Sequence, residues 1–184
     1  VMAEKFEFDD LIEQFHETLA QLPDYRTGQN SQYSIKEAAL GAFGVFFTQS
    51  PSFLAYQRDL QRRKGRNNAH TLFGLEQIPS DNQIRNLLDP IEPDQLAELF
   101  LTIFRKFSAS NRRSEFQALD ERWLISLDGT QHFSSTRLHC DNCYQTEQQD
   151  GTVRYSHHLL SPVVVHPDHH QVLSLPPEFM QPQP

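Results

Sequence analysis

The sequence predicts an α+β protein with a helical front part and a strand-rich back part. Apolar residues recur at spacings of three and four from Phe8 to Phe107, which is the period of an amphipathic helix. After a polar bridge near residues 108–115 the pattern changes to short apolar runs that turn signals separate, which is typical of strands. We therefore expect a helical domain at residues 1–110 and the first strands of a second domain at residues 111–184.

About five helices are expected in the front part. An apolar stripe and an acidic face mark the first, between Phe8 and Leu22. Two later starts carry the capping-box pattern, in which a serine and a side chain three positions on satisfy each other's backbone N–H groups: Ser34 with Glu37, and Ser80 with Gln83. The last helix is expected behind an Asp94 cap.

Three strand signals follow in the back part. The run from Trp123 to Leu127 is short and apolar, so we predict a buried strand that ends at Asp128. Asp150 and Gly151 form a hairpin dipeptide at the start of a run of β-forming residues. A final strand is expected at residues 171–175, before two prolines.

Charge is segregated along the chain. The formal net charge is -8, yet residues 25–70 hold seven basic residues against two acidic ones. Such a block can form a local basic surface that contacts phosphates, although a solvated helix end explains it equally well. The residues that we predict to contact DNA are Arg58, Arg62, Arg63, Lys64 and Arg66, with Asn82, Gln83 and Arg85 on the polar face of a short helix.

Localisation follows from what the chain lacks. Its longest apolar patch, residues 38–47, is far shorter than the roughly 20 residues of a membrane-spanning helix, and no leader-like segment is visible. We therefore expect a cytoplasmic protein without a membrane partner. In a reducing compartment, a Cys-x-x-Cys pair indicates metal binding or redox chemistry rather than a disulfide framework.

That pair, Cys140 and Cys143, predicts a structural zinc site. His139, or a histidine of the 155–158 run such as His157, would complete the ligands, and the ion would staple the loop between two strands. The alternative is two ordinary cysteines in a surface loop beside histidines on a polar sheet face.

Asp128 raises a second metal hypothesis. A carboxylate at the end of a buried strand is costly to dehydrate unless a cation meets it, and oxygen ligands favour Mg²⁺ or Mn²⁺. An Asp-Gly pair is also an ordinary turn, so the dipeptide alone leaves both interpretations open.

Taken together, "IPSDNQIRNLLD", "WLISLDGTQHFSS", "HCDNC" and the run that ends in "HPD" resemble the front portion of bacterial insertion-sequence transposases of the DDE type, from about Ser34 to Met180. The resemblance implies a helical DNA-binding region followed by the incomplete beginning of a ribonuclease-H-like α/β catalytic domain. It implies that Asp128 is the first catalytic, metal-binding aspartate of a two-metal site using Mg²⁺ or Mn²⁺. No second aspartate or glutamate of the triad can be matched, so we expect no transposition from these residues alone.

Three classes of function remain open at this point. The first is a DNA transposase, a polynucleotidyl transferase that acts as a homo-oligomer on the paired terminal repeats of its own element. The second is a non-catalytic DNA-binding protein. The third is a zinc-stabilised interaction module unrelated to DNA.

Overall fold

The computed structural model describes residues 7–28, 32–62, 68–75 and 77–182, with the backbone alone at 68–70. As predicted, the architecture is α+β. The described chain divides into two compact units, of which the first spans Glu7–Leu99 and the second begins at Phe100. None of the described helices has the length and apolar character needed to cross a membrane.

The first unit is built from helices. Their bounds are α1 Phe8–Ala20, α2 Ile35–Phe47, α3 Phe53–Arg62, α4 Asn68–Phe73 and α5 Asp81–Leu88. Both predicted capping boxes are confirmed: Ser34 Oγ accepts from the backbone N–H of Glu37 at 3.1 Å, and Ser80 Oγ accepts from that of Gln83 at 3.4 Å. The short α4 was not predicted.

One hydrophobic core holds this unit together. Gly44 of α2 faces Tyr56 of α3 so closely that a Cβ atom at position 44 would lie 2.2 Å from the Tyr56 hydroxyl. Glycine is therefore required there for α2 and α3 to pack. The buried side chains of this core are Leu19, Leu40, Val45, Tyr56, Leu60, Phe73, Leu75 and Ile78.

The helix expected behind Asp94 begins later than predicted. A 3₁₀ turn occupies Pro93–Leu96, and the α-helix, α6, spans Ala97–Ala109. The Asp94 prediction was wrong because the proline ring fixes a helical φ at Pro93, so the 3₁₀ turn starts there with Glu92 as its N-cap, and Asp94 lies inside the turn.

The second unit contains an antiparallel sheet. Its strands are β1 Gln117–Ala118, β2 Arg122–Ser135, β3 Tyr144–Glu147, β4 Val153–Val165, β5 Leu173–Ser174 and β6 Glu178–Met180. The order is β1-β2-β4-β3, and β5 and β6 also pair with β4. The predicted hairpin at Asp150 and Gly151 is confirmed, with Gly151 at φ 78°, whereas only two residues of the predicted 171–175 strand are extended.

The core of this unit covers one end of the sheet. Phe107 of α6, Phe116 and Val164 are buried together, and the ring centroids of Phe107 and Phe116 lie 5.3 Å apart. Trp123 at the start of β2 packs against the same cluster.

Two predictions about the strand at Trp123 were wrong. The strand does not end at Asp128, because pairing with β4 continues through Asp128↔Ser161 and Gly129↔Leu160. Nor is it buried: Leu127 is 64% exposed and Ile125 is 52% exposed. Ile125 and Leu127 project from the same face of β2, and the buried cluster of this unit packs against the strand at Trp123, before this stretch begins. Beyond Trp123, no described strand pairs with the outer edge of β2.

Candidate metal centre

Two stretches of chain meet at the candidate metal centre. Cys140 and Cys143 lie in the loop between β2 and β3, where the backbone N–H of Cys143 donates to the carbonyl of Cys140 at 3.2 Å and closes a tight turn. The first residue of β3, Tyr144, pairs with Ser156 of β4. This pairing sets the cysteine turn directly beside the next residue of β4, His157.

The three side chains form a compact triangle of ligand atoms. The Sγ atoms of Cys140 and Cys143 lie 3.7 Å apart, and each lies 3.3 Å from Nε2 of His157. A tetrahedral zinc with ordinary bond lengths holds two sulfur ligands about 3.8 Å apart and a sulfur and a nitrogen about 3.6 Å apart. The observed triangle therefore matches three corners of such a site to within a few tenths of an ångström.

The surroundings of Cys143 also suit a metal ligand. Its side chain is buried, and desolvation raises the pKa of its thiol, so a bare thiolate there is unfavourable without a cation. The backbone N–H of Cys140 donates to Sγ of Cys143 at 3.3 Å, and such a contact orients a ligating sulfur. Cys140, by contrast, is exposed.

Among the described residues, this is the one group of three or more potential ligands close enough to share an ion. The predicted ligands Cys140, Cys143 and His157 come together, whereas the predicted alternative, His139, does not join them. The ring of His139 stacks on Tyr155 instead, with centroids 4.3 Å apart and planes 18° apart.

Comparisons of the chain with protein-family models, with curated proteins and with solved structures gave no match.

One neighbour of the centre was missed by the sequence reasoning. The ring centroid of His132 lies 5.9 Å from that of His157, across a register shift between β2 and β4. Partial desolvation by its neighbours, followed by the nearby His157 and His158, lowers the pKa of His132, although its side chain stays largely exposed. A β-bulge leaves no local residue signature in this run, so the spacing of the histidines could not have revealed the contact.

The other predicted site residues lie elsewhere. Asp128 is an exposed residue in the middle of β2, and the described residues do not group two further ligands with it. Arg58 and Arg62 are exposed on α3, as are Asn82, Gln83 and Arg85 on α5, where Oε1 of Gln83 accepts from the backbone N–H of Ser80 at 3.1 Å. Arg63, Lys64 and Arg66 fall outside the described residues.

Proposed function

We propose that the protein acts in the transposition of a bacterial insertion sequence, as a DNA-binding part of a DDE-type transposase whose sheet is stapled by a structural zinc ion. The zinc site rests on the ligand triangle of Cys140, Cys143 and His157. The role in transposition rests on the sequence resemblance alone, because Asp128 lies exposed in the middle of β2 and not at the end of a buried strand.

The zinc ion would have a structural role in this proposal. Two sulfurs and one imidazole nitrogen are borderline-soft ligands that suit Zn²⁺ and not Mg²⁺. Bound there, the ion would join the loop between β2 and β3 to β4 at His157, and no step of phosphoryl transfer would depend on it. The test is zinc content: stoichiometric zinc that is lost in Cys140→Ser supports the site, and zinc-free folded protein rejects it.

The strand pair β2 and β4 supports the link to transposases. The residues "LDGTQHFSS", which carry much of the resemblance, lie in β2, and "HPD" directly follows β4. In the family, the first strand of a ribonuclease-H-like fold carries the first metal-binding aspartate. Asp128 occupies this strand but is exposed in its middle, so the desolvation argument for a cation at a buried strand end does not apply to it, and its role rests on the resemblance.

Strand cleavage nevertheless needs more than Asp128. In-line displacement at phosphorus uses two metal ions about 3.5 to 4 Å apart, and one carboxylate cannot hold such a pair. Among the described residues, no two further ligands accompany Asp128. We therefore expect no cleavage of DNA by this chain with Mg²⁺ or Mn²⁺, and turnover that Asp128→Asn abolishes would show that the missing ligands are present.

DNA binding is the part of the proposal that this chain can be tested for directly. Phosphate contacts release counterions, so the affinity for DNA should fall steeply as the salt concentration rises. Each lost contact should reduce the slope of log affinity against log salt concentration by about one. We expect Arg58→Gln and Arg62→Gln to reduce the slope. Arg26→Gln is the matched control, because the Arg26 guanidinium is already bound to Asp24, with Nε 2.8 Å from Oδ1.

A zinc-stabilised interaction module unrelated to DNA is the second candidate function. The exposed apolar side chains along the open edge of β2, among them Leu127, favour it. No binding of duplex DNA, together with a stoichiometric zinc ion and a protein partner whose binding does not change with salt, would select this candidate.

A further inference from the structure

The ligand triangle leaves one corner of a tetrahedron unassigned. Structural zinc sites in proteins are almost always closed by four protein ligands, and Cys140, Cys143 and His157 supply three. A fourth ligand must therefore come from a residue outside these three.

A β-bulge places one histidine in a special position here. Gln131 pairs with His158 and Phe133 pairs with His157, so β2 advances two residues while β4 advances one. His132 is the extra residue, and it therefore shares its position opposite His157 with Phe133. Without the bulge, regular alternation would point His132 to the opposite face of the sheet from Phe133.

The rings confirm that His132 is on the same side of the sheet as His157. The centroid of His132 lies 5.9 Å from that of His157, and the edge of Phe179 packs against His132 at 5.2 Å. Two imidazoles bound to one tetrahedral zinc have centroids about 5 Å apart. The group of ligand atoms that lie within 4.8 Å of one another does not include His132, so binding requires a change of its side-chain rotamer, for which its exposed position leaves room.

The other nearby histidines are engaged elsewhere. Nε2 of His158 lies 3.1 Å from Ser156 Oγ, and its ring packs edge-on against Tyr144. The ring of His139 is stacked on Tyr155. Neither side chain shares the position opposite His157 that the bulge gives to His132.

We propose that His132 is the fourth ligand of the metal ion held by Cys140, Cys143 and His157. This inference rests on the proposed zinc site and deepens it. In this proposal the bulge has a function: the extra residue of β2 binds the same ion as the cysteine loop and β4.

The test uses the full chain, freed of metal and titrated with Co²⁺ and with Zn²⁺ against a competing chelator. His132→Gln should weaken zinc binding by at least about 10- to 100-fold, which is the loss when only a hydrogen-bond partner of a ligand is removed, and should change the visible d–d bands of bound Co²⁺. His158→Gln, in β4, is the matched control and should bind Zn²⁺ and Co²⁺ with the same affinity as the unchanged protein. Circular dichroism of the metal-free variants checks that each one folds.

The outcomes separate this inference from the proposed zinc site. Unchanged binding in His132→Gln, together with loss of binding in Cys143→Ser, would overturn the role of His132 and leave the three-ligand site standing. Weakened binding in His139→Gln but not in His132→Gln would also overturn it, in favour of His139. Failure of the unchanged protein to bind either ion would reject both the site and its fourth ligand.

Discussion

Nε2 of His157 lies 3.3 Å from Sγ of Cys143, although the two residues are 14 positions apart in the chain. The contact joins the loop after β2 to the middle of the sheet. A metal ion at this point would bind the folded chain more tightly than the unfolded chain, since only the folded chain holds His157 beside the two cysteines.

Chelation should therefore destabilise the protein. At a free zinc concentration about 1,000 times the dissociation constant, the bound ion contributes about 4 kcal/mol to the free energy of unfolding. We expect a strong chelator to lower the melting temperature of the unchanged protein and to leave Cys143→Ser unaffected. Equal melting temperatures of the unchanged protein with and without chelator would contradict this.

Tyr56 should make the stability sensitive to alkali. Burial raises the pKa of its hydroxyl to about 12, whereas the unfolded phenol titrates near 10. As the pH rises, the unfolded chain therefore loses this proton before the folded chain does. The contribution of the neutral Tyr56 hydroxyl to the free energy of unfolding is complete below pH 10 and is lost as the pH rises towards 12. Urea unfolding between pH 9 and about 11.5 should show this fall, and Tyr56→Phe should reduce it.

The same substitution should also raise stability at neutral pH. The Tyr56 hydroxyl is buried without a hydrogen-bond partner among the described residues, and removing such a group gains about 1 kcal/mol. Tyr25→Phe is the control, because Tyr25 is 61% exposed. A Tyr56→Phe variant less stable than the control would mean that the hydroxyl has a partner after all.

Gly44 should tolerate no side chain. An added Cβ would lie 2.2 Å from the Tyr56 hydroxyl and 2.9 Å from its Cζ, so α2 and α3 must move apart. We expect Gly44→Ala to cost about 2 kcal/mol despite the better helix propensity of alanine. Gly129→Ala, where nothing lies within 4 Å of the added atom, should leave the melting temperature nearly unchanged.

The open edge of β2 should promote self-association. Apolar side chains along an unpaired edge invite pairing with a second chain, and lysine at such a position opposes it. Leu127→Lys should lower the sedimentation coefficient measured at high protein concentration. Leu138→Lys is a matched control, since Leu138 is also 64% exposed but lies in the loop after β2. The same decrease in both variants would show that self-association does not depend on the open edge of β2.

Helix starts could be predicted from the sequence because their signals are local. Ser34 with Glu37 and Ser80 with Gln83 satisfy each other within three residues, so the sequence contains the whole interaction. The Asp150 and Gly151 hairpin was predictable for the same reason: Gly151 takes the positive φ that the turn requires.

The course of β2 could not be predicted in this way. Asp128 and Gly129 have the composition of a turn, yet Gly129 does not take a positive φ, and its pairing with Leu160 continues the strand. That pairing depends on residues some 30 positions away. Cys140 and Cys143 were predictable as ligands from their spacing, but the sequence left His139 and His157 both open beside them. The approach of His132 depends on a bulge that only the paired strands define.

The most direct measurement is the zinc content of the purified, tag-free full chain after zinc supplementation and dialysis. The proposed site predicts one zinc ion per chain in the unchanged protein and none in Cys143→Ser, with both folded by circular dichroism. A folded, unchanged protein that retains no zinc would contradict the metal centre.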